Sequence, residues 1–341
     1  MQENPLFFSG YQYYLSHNDE EAPSLDEIIQ EMDGFVSING VKYSAEDIRK
    51  QISEVEKAVR NIEMTIDKYR LSGEKRTAIY TEERKKLHTQ IMNEFVIQKA
   101  TPQVISEDPR VLIMLGGRPE SGKSSCFRGV VYDDSFIVLD PDEIKSRLPE
   151  YKGWNAEEVH EESGDILEKC IQIAKKLRLN IVIETTMGTT GSALRRIKEF
   201  KQSGYKVEAH YMFLPMHQAC KRAMERFLNG TPTGRYIPIE ILHQMKNTEE
   251  NFDIIKSFVD GWSFYSNENS DKTGKPECIA EYGDIYLKRK QQKERAAMME
   301  HFQDMAQAVR KTRRPYVKPE AKEITSCRAE EILSLLQGNE Q

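Results

Sequence analysis

Residues 116–125 read GGRPESGKSS and follow directly on the apolar run VLIML. Gly117 to Ser124 match the phosphate-loop pattern GxxxxGK[ST] in full. Each residue type has a task in such a loop. Glycines let backbone N–H groups approach phosphate oxygens closely. A helix opening at Lys123 aims unpaired N–H groups and partial positive charge at the same anion. Lys123 reaches the β- and γ-phosphates, and Ser124 offers its hydroxyl to Mg2+. Gly117, Arg118, Pro119, Glu120, Ser121, Gly122, Lys123, Ser124 and Ser125 are therefore expected to bind ATP, with Mg2+ as the accompanying ion. A plain glycine turn would leave Lys123 without a role.

Other residues supply what the lysine needs. FIVLDPDEIKSRLPEY (136–151) sets Asp140 and Asp142 at the end of a second apolar run. In open α/β sheets, ligands bind at that carboxyl edge. One acid can hold Mg2+ through water and the other can take a proton from an attacking hydroxyl. The competing reading is that Asp-Pro-Asp caps the next helix. NIVIETT (180–186) brings Glu184, Thr185 and Thr186 to a third strand end, where a carboxylate and hydroxyls suit a sugar or nucleotide. Glu168 lies on the preceding helix, DILEKCIQIAKKL, as a pocket residue or a surface glutamate. RAMERFLNG and TPTGRYIP place Arg222, Arg226 and Arg235 after a fourth strand. A guanidinium is planar and always charged, so it suits the transferred phosphoryl group. Gly230, Pro232 and Gly234 give that stretch the character of a lid, and Arg222 reads as a surface residue. No guanine-reading NKxD-type motif is present, nor a long apolar Walker B strand with adjacent acids. The remaining chemistry suits a small kinase.

These residues must be positioned by strands that alternate with helices. VLIML (111–115), FIVLD (136–140), NIVIE (180–184) and VEAHYMFL (207–214) are short runs rich in β-branched and aromatic residues, and the helix SSCFRGVV is expected after the loop. The pattern predicts an α/β, P-loop NTPase-like fold: a doubly wound parallel sheet with helices on both faces, over 102–284. Residues 1–101 read as a mainly helical N-terminal region. PSLDEIIQEM is a short helix, and Asn39-Gly40 marks a hairpin. Ser44 with Asp47 is a capping-box variant. Ile52, Val55, Val59, Ile62, Ile66 and Tyr69 form a 3-4-3-4-3 seam, predicting one helix up to Ser72-Gly73. A second helix over 77–98 would complete an antiparallel hairpin, serving for packing or for regulation and partner binding. Residues 285–341 form a charged tail with a helical segment, a Pro-interrupted linker and a last short helix, RAEEILSLL.

Composition narrows the function. The 341 residues carry 49 basic and 55 acidic side chains, a net charge of −6, which argues against nucleic acid as the main partner. Five scattered cysteines show no zinc or disulfide spacing, which fits a reducing, cytoplasmic setting. No signal peptide and no run of ~18 apolar residues is found, so no membrane partner is expected.

Taken together, GGRPESGKSS, LDPDEIKSRLPEY, VIETT, YMFLP, ERF and TGRYIP resemble, in order and spacing, the zeta-toxin family of P-loop kinases. The likeness covers about 105–250 and includes the sixteen residues from Glu168 to Glu184. It implies a kinase that uses ATP and Mg2+ to phosphorylate the 3′-hydroxyl of UDP-N-acetylglucosamine. By resemblance, Lys123 and Ser124 take the ATP end and Asp142 is the general base. Arg226 and Arg235 would stabilise the phosphoryl group, while Glu168, Glu184 and Thr186 would line the sugar-nucleotide pocket. The family's VIEGT segment often continues with Gly-Arg, and the arginine position is Gly188 here; Arg195 and Arg196 follow shortly after. Such kinases are held off by a small helical antitoxin, in trans or as a fused segment, a role the resemblance suggests for residues 1–101.

Overall fold

A computed structural model describes residues 22–100, 110–230, 234–269 and 275–283, with Tyr11, Tyr14 and Met299. The expected tail helix and RAEEILSLL lie outside the described elements. The chain divides into two units, residues 1–286 and 287–341, and every element named here belongs to the first.

Helix α1 (Leu25–Glu31) opens on a capping box between Ser24 and Glu27. Strands β1 (Phe35–Val36) and β2 (Lys42–Tyr43) pair as the hairpin around Asn39-Gly40. Helix α2 (Ala45–Val59) starts from the expected Ser44–Asp47 box. It does not run on to Tyr69. The Thr65 N–H donates to Glu158 O at 3.0 Å, so a distant carbonyl captures the chain and starts a separate helix, α3 (Thr65–Tyr69). Strand β3 (Arg70–Ser72) then pairs antiparallel with β4 (Ile79–Tyr80). Thr81 caps α4 (Glu82–Met92), which continues as a π-turn to Ile97. The predicted antiparallel helical hairpin is thus replaced by α2 and α4 with the short helix α3 and the β3–β4 pair between them.

The core elements follow in order: β5 (Arg110–Gly116), α5 (Lys123–Phe127), β6 (Ile137–Leu139), α6 (Pro141–Lys145), α7 (His160–Lys176), β7 (Ile181–Glu184), α8 (Thr190–Gln202), β8 (Tyr205–Phe213), α9 (Met216–Asn229), α10 (Ile239–His243), α11 (Thr248–Lys256), β9 (Gly261–Ser266) and β10 (Glu277–Gly283). The sheet order is β10-β9-β8-β5-β7-β6. Strands β6, β7, β5, β8 and β9 run parallel, and β10 closes the edge antiparallel. The doubly wound expectation holds. Strands β9 and β10 extend the sheet past the four runs legible in the sequence. Exposed β10 residues alternate poorly, because an edge strand needs few apolar side chains.

Alternation along β5 sends Leu112 and Met114 to one face and Ile113 and Leu115 to the other. The first face packs on Ile166, Cys170, Ile197, Phe200, Phe252 and Ile255, and also takes Ile91, Phe95 and Val96 from the N-terminal stretch. The second packs on Phe127, Val131 and Tyr132. A further cluster joins Ile28, Ile29, Met32, Ile48 and Ile52 to Met224, Phe227, Leu228 and Leu242. The N-terminal stretch therefore completes two cores of the α/β unit. Among the described residues no helix is long and apolar enough to cross a membrane.

Candidate active site

The parallel strands end along one edge, and the chemistry-bearing residues collect there. β5 stops at Gly116 and the loop returns the chain to α5 at Lys123. Gly117 has φ 134°, and a Cβ on it would lie 2.4 Å from Met212 O, so only glycine fits against β8. Lys123 Nζ donates to the carbonyls of Gly117 and Arg118, both at 2.9 Å, which folds the ammonium over its own loop. Helix α5 is shorter than the expected SSCFRGVV helix: Arg128 turns extended and Gly129 takes a positive φ.

β6 delivers two carboxylates at the same edge. Asp140 caps α6, its side chain accepting from the Asp142 N–H at 2.8 Å, and it also faces Lys123 electrostatically. The capping reading of Asp140 is the one these contacts show. Asp142 pairs with Arg235 Nη2 at 2.8 Å and accepts from Lys145 Nζ at 3.1 Å. Burial pushes its carboxyl up, but Lys145, Arg235 and Lys123 outweigh that and hold it below the usual range. β7 ends in the buried Glu184, which accepts from Ser124 Oγ at 2.8 Å. Burial and then the charge of Asp140 push Glu184 up to about 7, against the pull of Ser124 and Lys123. Burial depresses Lys123, countered by Glu184, Asp142 and Asp140. Arg226, on α9, donates to Glu120 of the loop at 2.8 Å. Lys123, Ser124, Asp140, Asp142, Glu184, Arg226 and Arg235 thus form one constellation.

Hard oxygen donors in this group suit Mg2+. No cluster of three His, Cys, Asp or Glu that could hold a metal occurs among the described residues. The Ser124 hydroxyl beside the Glu184 carboxylate nevertheless fits an ion that keeps most positions for water and phosphate oxygens. A cation there would also relieve the crowding of Glu184 and Asp140.

Other expected residues are differently engaged. Glu168 contacts Arg76 Nε at 3.4 Å and pairs closely with Arg196, so two guanidinium groups occupy its carboxylate. Arg196 is thereby committed to Glu168 in place of any service near Gly188. Thr186 Oγ1 accepts from the Gly188 N–H at 3.3 Å within its own turn. Arg118 departs most from expectation. Its backbone carbonyl belongs to the loop, but its side chain, 1% exposed, turns beneath it to Glu249 and to Leu214 O at 3.0 Å. A guanidinium so bonded is not available to phosphate.

Lys145, Asn267, Glu249 and Asn251 escaped the sequence reading. Lys145 had a signal, its i+3 spacing from Asp142 on a short helix. Asn267 holds the loop through Nδ2 to Ser121 O at 2.8 Å, from 146 positions away, and carried none.

A family model described as Zeta toxin matches residues 96–271. No curated protein sequence gives a match. Among solved structures, that of the PezAT chromosomal toxin–antitoxin system of Streptococcus pneumoniae is similar over 60% of this chain and 82% of its own, at 16% identity and a TM-score of 0.44. The complex AvrRxo1-ORF1:-ORF2 with ATP is similar over 65% of this chain and 77% of its own, at 16% identity and a TM-score of 0.50. At that identity the likeness to the second is one of fold.

Proposed function

Since the chain belongs to the zeta-toxin family, we propose that it is an ATP-dependent phosphotransferase acting on a hydroxyl of a small acceptor, the 3′-hydroxyl of UDP-N-acetylglucosamine being the first candidate. The observation that carries this reading is Asp142, 2.8 Å from Arg235 and bonded by Lys145, its carboxyl held below the usual range by those two and by the charge of the loop lysine. The acceptor oxygen forms a bond to the γ-phosphorus while the bond to the ADP oxygen breaks. The acceptor's proton passes to the Asp142 carboxylate. Lys123, Arg226 and Arg235 balance the charge on the transferred group's oxygens. Mg2+ held by Ser124 beside Glu184, with Asp140 through water, would neutralise the phosphates. Glu184 and Thr186, near the end of β7, are assigned to the acceptor side with Glu168.

Two observations favour a second reading, a kinase for a different hydroxyl: Gly188 lacks the family's arginine, and Arg76 and Arg196 occupy Glu168. The test serves both. Protein, ATP and Mg2+ are incubated with UDP-N-acetylglucosamine and, separately, with a metabolite extract, and products are read by mass. One added phosphate on the sugar nucleotide supports the first reading, and on another metabolite the second. No ATP-dependent phosphate addition in either arm ends the kinase proposal. The partner under this proposal is a helical antitoxin in trans or residues 1–101 in cis. The packing of α1, α2 and α4 into shared cores supports a structural part for that stretch.

A further inference from the structure

Helix α11 reaches both sides of the site through two residues two positions apart. Glu249, fully buried, forms a two-pronged ion pair with Arg118, one prong being Nη2 to Oε2 at 2.8 Å. Tyr211 OH donates to the same carboxylate at 2.8 Å, and it also contacts Thr248 Oγ1 at 2.7 Å. The Arg118 carbonyl, on the other side of that residue, accepts Lys123 Nζ. A planar pair of this kind, shut away from water, locks the loop backbone to the helix.

Asn251 holds the acceptor side. Its side-chain amide donates to Met187 O at 3.0 Å and to Gly188 O at 2.9 Å. Met187 has φ 56°, a backbone conformation disfavoured for a residue with a side chain and kept only where surroundings impose it. Its thioether lies where a Cβ on Gly116 would be, 2.4 Å from Sδ, so the turn abuts the start of the phosphate loop.

We propose that Glu249 and Asn251 are positioning residues, and that α11 holds the phosphate loop and the 185–188 turn in register, so that filling the first orders the second. The kinase reading supplies what is positioned; the contacts themselves do not depend on it. Neither residue touches the reacting atoms.

The experiment follows amide hydrogen exchange over residues 185–190 with and without AMP-PNP and Mg2+, beside AMP-PNP affinity by titration. In the wild type, nucleotide should slow exchange there by roughly fivefold or more. Asn251→Ala and the isosteric Asn251→Asp, which replaces the donor by a carboxylate facing two carbonyls, should bind AMP-PNP within about twofold of wild type and lose that protection. A residue that only stabilised the fold would raise exchange with and without nucleotide alike. Protection retained in both variants with nucleotide bound, or none in nucleotide-bound wild type, overturns the inference and leaves phosphate transfer untouched. No AMP-PNP binding by the wild type overturns the nucleotide reading and this inference together.

Discussion

Asp142 is an anion kept by its neighbours. Lys145 on its own helix and Arg235 from the segment after α9 contact it directly, and the charge of Lys123 adds to theirs, with Asp140, Arg226 and His160 also coupled to it electrostatically. Asp142→Asn should lower phosphate transfer by ~10²–10⁴ while sparing AMP-PNP binding. A loss below tenfold, measured by product mass, counts against the general-base role. Arg235→Ala should cost on the order of 10³ if the guanidinium acts on the transferred group. Lys145→Met gives a sharper test. Removing a cation raises the carboxyl's pKa, and only the ionised form accepts a proton. The acid limb of the rate–pH profile should therefore move to higher pH, and Lys145→Arg should restore it. An unmoved limb means that Lys145 does not govern the base.

At the scale of elements, one acidic face of α7 organises the N-terminal strap. Glu161, Glu162, Asp165 and Glu168 recur at helical spacing and are met by Arg70, Arg84, His88, Tyr80 and Arg76. The Arg84 Nε to Glu162 Oε1 contact is 2.6 Å, buried on both sides, while Arg84 Nη2 also reaches Glu150 at 2.7 Å. Arg84→Met leaves Glu162 without its main counter-charge and should cost roughly 3–5 kcal/mol, read from the urea midpoint. The same pair sets a pH dependence. Burial pushes Glu162 up, but hydrogen bonds from Arg84 and then His88 more than offset it, lowering it from 4.5 to about 2. A depressed folded value stabilises above the unfolded value and is lost as pH falls toward the folded one. Stability should decline between those two values, and Glu162→Gln should flatten that decline. An unchanged slope would remove Glu162 from the account.

The whole first unit rests on side chains that the N-terminal stretch contributes to two cores. Ile48, fully buried against the α9 cluster, should cost about 2–5 kcal/mol as Ile48→Ala. Deleting residues 1–101 uncovers apolar faces of α9 and of the sheet, so the remainder should melt lower or aggregate, seen by thermal melting and size exclusion. A well-folded remainder with raised ATP turnover would instead identify the stretch as a detachable inhibitor.

What could be read in advance was local. The strand-turn-helix around Lys123, the short PSLDEIIQEM helix, the Ser44 helix start, the Asn39-Gly40 hairpin and the four apolar runs follow from short-range sterics and side-chain period. The carboxylates of Asp140, Asp142 and Glu184 were legible because strand ends in a parallel sheet share one edge. Tertiary structure decided the rest, through groups far apart in the chain competing for the same donors and charges. The seam beyond Val59 gave way to a carbonyl at Glu158. The Arg118 side chain was drawn beneath the loop to a carboxylate 131 positions on, and Glu168 was paired with Arg76. A periodic pattern sets which face of an element is apolar, but only packing selects the buried charge that answers another, because an unpaired one costs too much to keep.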